Sequence, residues 1–153
     1  MNIHRAPANC GATTQGVKKL KQWLGTGKWD VIHFNFGIHD RNLPLDTYAG
    51  NLEQIVSVLE TTGAKLIWAR TTPPASVENA EKFSPEQCER LNRIADEIMK
   101  QHGIPTTDLC TPIQPRLSEL QNENNVHFNA FGYKVLAQQV AVAIVARLND
   151  PKK

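Results

Sequence analysis

The stretch Trp29-Asp30-Val31-Ile32-His33-Phe34-Asn35-Phe36-Gly37-Ile38-His39-Asp40 decides the fold. Val31 to Phe36 is the clearest strand in the chain. It is rich in β-branched and aromatic residues and is closed by Gly37. A histidine and an aspartate follow at once, where a buried strand would hand them to a loop.

Working outward, the same unit repeats on either side. Upstream, Val17, Leu20 and Leu24 recur at helical spacing, predicting a helix from about Thr14 that Gly25 and Gly27 stop. Before it, Asn2 to Ala6 reads as a short strand ending in the loop Pro7 to Gly11. Downstream, Leu52, Ile55, Val56 and Leu59 give a helix capped by Asp46 an apolar stripe. Ala64 to Ala69 is the next strand, ended by Thr71-Thr72-Pro73-Pro74. Ser84-Pro85-Glu86 has the cap-then-proline form of a helix start, and Leu91, Ile94, Ala95 and Ile98 are its inner face up to Gly103. Ile104 to Thr107 is a short strand. A last helix from about Ala130 to Leu148 turns Leu136, Val140 and Ile144 inward. Strands alternating with helices predict a three-layer α/β fold with a mainly parallel sheet of about four strands. Ligand sites in such sheets lie at the strands' carboxyl ends. Here those ends are Asn9 to Gly11, Gly37 to Asp40, Thr71 to Pro74 and Asp108.

Length and composition fit this reading. A chain of 153 residues that is 41% hydrophobic and 21% charged makes one globular domain, spanning 1–153. A net charge of +2 with dispersed Lys and Arg gives no support to a nucleic-acid partner; the small cluster Lys18, Lys19 and Lys21 reads as a solvated helix face. Three cysteines, Cys10, Cys88 and Cys110, have no metal-ligand spacing and make a disulfide framework unexpected, which favours a reducing, cytoplasmic setting. No stretch approaches the ~20 apolar residues of a membrane span, and no signal pattern opens the chain, so no membrane association is expected.

Three segments carry polar residues suited to chemistry. In Gly37-Ile38-His39-Asp40 the pair is either held rigidly over a crevice or is a loop histidine beside a helix-capping aspartate. In Asn124-Asn125-Val126-His127-Phe128, His127 sits between apolar residues before a helix, a place for a general base or for a plain packed histidine. Asn9-Cys10-Gly11-Ala12-Thr13 opens the first helix, where backbone N–H groups can receive an oxyanion.

In this order, these segments, with Gly132-Tyr133 after the last histidine, resemble blocks II, III and V of the SGNH (GDSL-like) hydrolases. Leu66 to Pro73 is similar to the strand and loop that follow the third block. The likeness runs from about Ile3 to Leu148. It implies a flavodoxin-like sheet and a Ser-His or Ser-His-Asp site acting on carboxylic esters, including acetylated sugars. It also implies that Gly11 supplies an oxyanion N–H, His39 the third-block donor and His127 the base. A small ester is the implied substrate, and no cofactor or metal is called for.

The chain departs from the pattern at three places. The family's nucleophile stands in a Gly-Asp-Ser motif at the end of the first strand, and this chain has no such motif; it is expected to lack that strand. Its four serines, Ser57, Ser76, Ser84 and Ser118, lie elsewhere. His39 stands where the family has Asn, though an imidazole N–H still donates. Asn124 stands where the family has Asp, with Glu123 as a substitute. The chain alone is therefore expected to be inactive. The alternative is a non-catalytic binding or assembly module. A sheet missing a central strand exposes its edges, so the chain either self-associates as a homo-oligomer or moves Asn2 to Ala6 into the gap. Lesser alternatives are Cys10 as nucleophile and a metal site of His33, His39, Asp40 and His127. His33 otherwise reads as a hydrogen-bonded interior residue. A phosphate loop at Gly11 to Gly16 lacks a lysine.

Overall fold

A computed structural model describes residues 2–7, 9–75, 83–123 and 125–151. Three parallel strands form the sheet: β1 (Val31–Phe34), β2 (Lys65–Ala69) and β3 (Thr106–Thr107), in that spatial order. The helices are α1 (Thr13–Leu24), α2 (Leu45–Glu60), α3 (Pro85–Gln101), the short α4 (Leu117–Leu120) and α5 (Ala130–Asn149). The α2 and α3 crossovers supply the length that parallel pairing demands. Register is set by Ile32 opposite Leu66 and Phe34 opposite Trp68. These four residues share one sheet face, and α1, α2 and α3 cover it with Leu20, Leu52, Ile55, Leu59, Leu91 and Ile98. Phe34 and Trp68 meet edge to face at 5.2 Å between ring centres, a favoured aromatic geometry.

The other face, with Ile67 at its centre, lies under α5, which contacts all three strands. Lys65 fixes the far end of that helix: its Nζ donates to the carbonyls of Arg147 and Leu148 at 3.0 and 3.1 Å and to that of Asp150. A cation among the last carbonyls of a helix satisfies orphan acceptors and complements the dipole.

The start of α3 forms as its sequence predicts. Ser84 Oγ accepts from the Gln87 N–H and the Gln87 side chain accepts from the Ser84 N–H, a complete capping box. At α2 the expectation fails: Pro44 is the capping residue, no side chain caps it, and Asp46 lies inside the first turn. Asn2 to Ala6 is not a strand. It is exposed and joins no ladder among the described residues, because β-propensity without a neighbouring edge leaves the backbone to water. The sheet therefore has three strands rather than about four. Along α5, Leu136, Val140 and Ile144 are only half-buried, and Gly132 alone is buried. By length and composition α5 is apolar enough to cross a membrane, which corrects the expectation that no stretch approaches such a span.

Candidate active site

The carboxyl ends of β1 and β2 meet at Thr71. Its N–H donates to Asn92 Oδ1 at 2.8 Å, and its carbonyl accepts from Asn92 Nδ2 at 2.8 Å, Cys88 Sγ at 3.0 Å and Cys110 Sγ at 3.1 Å. Burial pushes the Cys88 thiol up to about 12 and the Cys110 thiol up to about 11, which keeps both protonated, as donors must be. Thr71 Oγ1 accepts from Asn35 Nδ2 at 3.0 Å, and the same amide donates to the Ala69 carbonyl at 2.7 Å.

Gly37 rests on this threonine. A Cβ there would lie 2.1 Å from Thr71 Oγ1, so only glycine allows the chain to turn at that point. Ile38 to Asp40 then forms one turn of 3-10 helix, which leaves His39 exposed and buries Asp40 completely. Asp40 Oδ1 accepts from the Thr13 N–H at 2.8 Å and from Thr13 Oγ1 at 2.6 Å. Ala12, the residue before α1, offers no side-chain cap, and Asp40 does that work from 27 positions away. Burial raises the Asp40 pKa, against the Thr13 hydrogen bonds and the nearby His39, and its Oδ2 has no partner among the described residues.

The Thr13–Asp40 bonds bring the first two segments together. Gly11 holds a left-handed φ of 64°, and its N–H donates to Asn9 Oδ1 at 3.0 Å. An incoming oxyanion would have to displace that exposed amide oxygen.

His127 comes from a different anchor. Gln121 ties its loop to the end of β2, accepting from the Ala75 N–H at 2.6 Å and donating to the Pro73 carbonyl at 2.8 Å. Gln121 also bridges to Phe128, and the Asn122 N–H donates to the His127 carbonyl at 2.8 Å. Phe128 is buried with Ile113 and Leu120, so the backbone is fixed while the imidazole stays exposed. Asn125 Oδ1 accepts from the His127 N–H at 3.0 Å and lies 2.6 Å from ring Nδ1. An amide oxygen only accepts, so Nδ1 donates in this contact, and in a neutral ring the lone pair then belongs to Nε2. That is the tautomer a general base needs. Asn124 lies outside the described residues, and Glu123 is exposed.

Sequence reasoning missed Asn92 and Gln121, and it named Thr71 and Asn125 only as members of candidate segments, with no role of their own. Only Asn125 had a local signal, a polar amide two residues before the histidine. Cys10 and His33 both line a groove beside β1. Burial raises the Cys10 thiol, against Arg5, which disfavours the thiolate a nucleophile requires. Burial lowers His33 and leaves its Nε2 without a partner among the described residues. Among those residues, no three His, Cys, Asp or Glu side chains converge as metal ligands, so His33, His39, Asp40 and His127 are not one cluster.

The family model for GDSL-like lipases and acylhydrolases matches residues 5–135. The chain belongs to that family. Among solved structures, the lipase/acylhydrolase from Enterococcus faecalis is 26% identical, with a TM-score of 0.79 over 93% of this chain and 74% of that one. A GDSL-like lipase from Bacteroides thetaiotaomicron is 18% identical, with a TM-score of 0.76 over 88% and 71%. A carbohydrate esterase family 3 protein from Talaromyces cellulolyticus is 17% identical, with a TM-score of 0.73 over 92% and 69%. No curated protein matches the chain. The GDSL-like family accounts for the sheet order found here, which is that of a flavodoxin-like hydrolase with a shortened sheet.

Proposed function

We propose that this chain carries the oxyanion and base half of a carboxylic-ester hydrolase site and performs no acyl transfer with its own serines. The observation that carries the reading is the contact of Asn125 Oδ1 with His127 Nδ1 at 2.6 Å, which orients the ring and turns Nε2 away from Asn125. Asp40, through Thr13, ties the His39 turn to the start of α1 next to Gly11. In hydrolysis of this kind a serine oxygen attacks the carbonyl carbon and its proton passes to His127 Nε2. Gly11 N–H and His39 hold the negative oxygen, and His127 returns the proton to the departing alcohol. Water then repeats the sequence on the acyl-serine and releases the acid. The likeness to a carbohydrate esterase favours an acetylated sugar as substrate.

Three of the four serines are among the described residues. Ser57 and Ser118 are exposed on α2 and α4, and Ser84 is engaged in its capping box. Ser76 lies outside the described residues. A fluorophosphonate ester, which labels activated serines, is expected to add no mass to the purified chain. An adduct on any of the four serines, seen by peptide mass spectrometry, would overturn the proposal.

A second reading, a non-catalytic module that self-associates, draws on the edge position of β1 and the bare face of α5. It predicts a dimer by light scattering at micromolar concentration. A monomer at that concentration contradicts it.

A further inference from the structure

We propose that Cys88 and Cys110 are a redox-active thiol pair, which hydrogen peroxide converts to a disulfide across the end of β2. The first ground is where the two sulfurs sit. They come from elements distant in sequence, the first turn of α3 and the loop after β3. Both nevertheless donate to one oxygen, the Thr71 carbonyl, at 3.0 and 3.1 Å. Two atoms on one acceptor can be no farther apart than those two distances end to end. Asn92 Nδ2 lies 3.5 Å from the Cys88 sulfur and 3.9 Å from that of Cys110, so the thiols share a second neighbour as well.

The second ground is that both backbones are held. The Cys88 N–H donates to the Ser84 carbonyl at 3.0 Å, beside the capping box. The Cys110 N–H donates to Asp108 Oδ1 at 2.9 Å, and the Thr111 N–H reaches the same oxygen at 3.1 Å. The sulfurs therefore approach by turning their side chains off the carbonyl, between staggered rotamers. Third, a carbonyl oxygen has two lone pairs, and three donors point at this one. Forming the disulfide removes both S–H donors and leaves Asn92 Nδ2 on the oxygen at 2.8 Å, so no buried acceptor is orphaned. Fourth, both cysteines line one cleft of about 480 Å³, together with Arg70, Pro73 and Gln114, and a peroxide is small enough to enter it.

The two thiols are not equivalent. Cys88 is only 2% exposed whereas Cys110 is half-buried, so Cys110 meets the oxidant first. Its sulfur, as thiolate, attacks one peroxide oxygen and the O–O bond breaks. Hydroxide leaves with the thiol proton as water, and Cys110 becomes a sulfenic acid. The Cys88 sulfur then attacks the Cys110 sulfur, the S–O bond breaks, and a second water leaves with the Cys88 proton. The two thiols lose two electrons in all, and the peroxide is reduced to two waters. Burial holds both thiols protonated, which makes the first step slow, so the pair responds to sustained peroxide rather than to a brief pulse. The linked form braces the strand end on which Gly37 rests.

The test treats the purified chain with hydrogen peroxide, blocks remaining thiols with N-ethylmaleimide and digests with trypsin in the absence of reductant. Cys88 then lies on the peptide Phe83 to Arg90, and Cys110 on Gln101 to Arg116. Mass spectrometry is expected to find these two joined, lighter by two hydrogens than their sum, and parted by dithiothreitol. In urea the same treatment is expected to give pairings with Cys10 as well, because the fold selects the partners. A native pattern equal to the urea pattern overturns the proposal. So do two unreacted thiols, or a Cys110 driven to sulfinic acid while Cys88 still takes up maleimide, since the sulfurs then fail to meet. Cys88→Ser keeps a hydroxyl donor for Thr71 and is expected to stop at the Cys110 sulfenic acid, which dimedone captures. No dimedone on Cys110 overturns its place as the attacking thiol.

Discussion

Asp40 joins two segments that are far apart in sequence, and its cost when removed follows from what it satisfies. Asp40→Ala strands the Thr13 N–H and hydroxyl in a buried site and uncaps α1, a loss of about 2 kcal/mol. Asp40→Asn keeps an acceptor oxygen and sheds a charge that burial disfavours, so it is expected to cost less than half as much. Urea denaturation of the three proteins checks the order; equal loss in both variants would show that the acceptor is not what matters. At this scale the sequence was readable where the chemistry is local. Short motifs singled out His39, His127 and Gly11, and for the neighbouring Asp40 the capping alternative is the one the structure bears. Thr71 was named only as part of a strand end, because its importance comes from Asn35, Gly37, Asn92, Cys88 and Cys110 converging on it from three other segments. No spacing in a linear chain encodes that convergence.

Between elements, His102 clamps the end of α3 to α2. Its Nδ1 lies 2.9 Å from Glu60 Oε1 and its Nε2 lies 2.8 Å from Glu53 Oε2. Those hydrogen bonds to two carboxylates raise its pKa above the usual 6.5. A raised folded-state pKa means that the clamp stabilises fully below pH about 6.5 and fades as pH rises through the folded value. The stability difference between the native chain and His102→Gln should thus be larger at pH 6 than at pH 8.5, read as the shift in urea midpoint. A difference independent of pH would contradict the assignment. Helices with local start and stop signals were legible, as the capping box of Ser84 shows. Asn2 to Ala6 was misread, since a strand exists only where another edge accepts its hydrogen bonds. The half-exposed stripe of α5 has the same origin: an apolar pattern states what a helix is ready to bury, and burial depends on what lies opposite.

For the whole molecule, the alternation of strands and helices made the parallel sheet predictable, and the GDSL-like family membership follows the same order of segments. The exposed sheet edge expected from the missing strand is present at β1, but Asn2 to Ala6 does not pair with it as the alternative required. There a strand with a central-strand sequence stands at an edge, beside a groove lined by tryptophans. The proposed site needs a base, oxyanion donors and a nucleophile at one end of one sheet, and of the described serines Ser84 is engaged in its capping box while Ser57 and Ser118 are exposed. The most direct measurement is the hydrolysis of p-nitrophenyl acetate by the purified chain, run beside His127→Ala. The account predicts that neither protein exceeds the buffer rate. Turnover by the native chain that disappears in His127→Ala would contradict it, and would place a working nucleophile among residues assigned here to other roles.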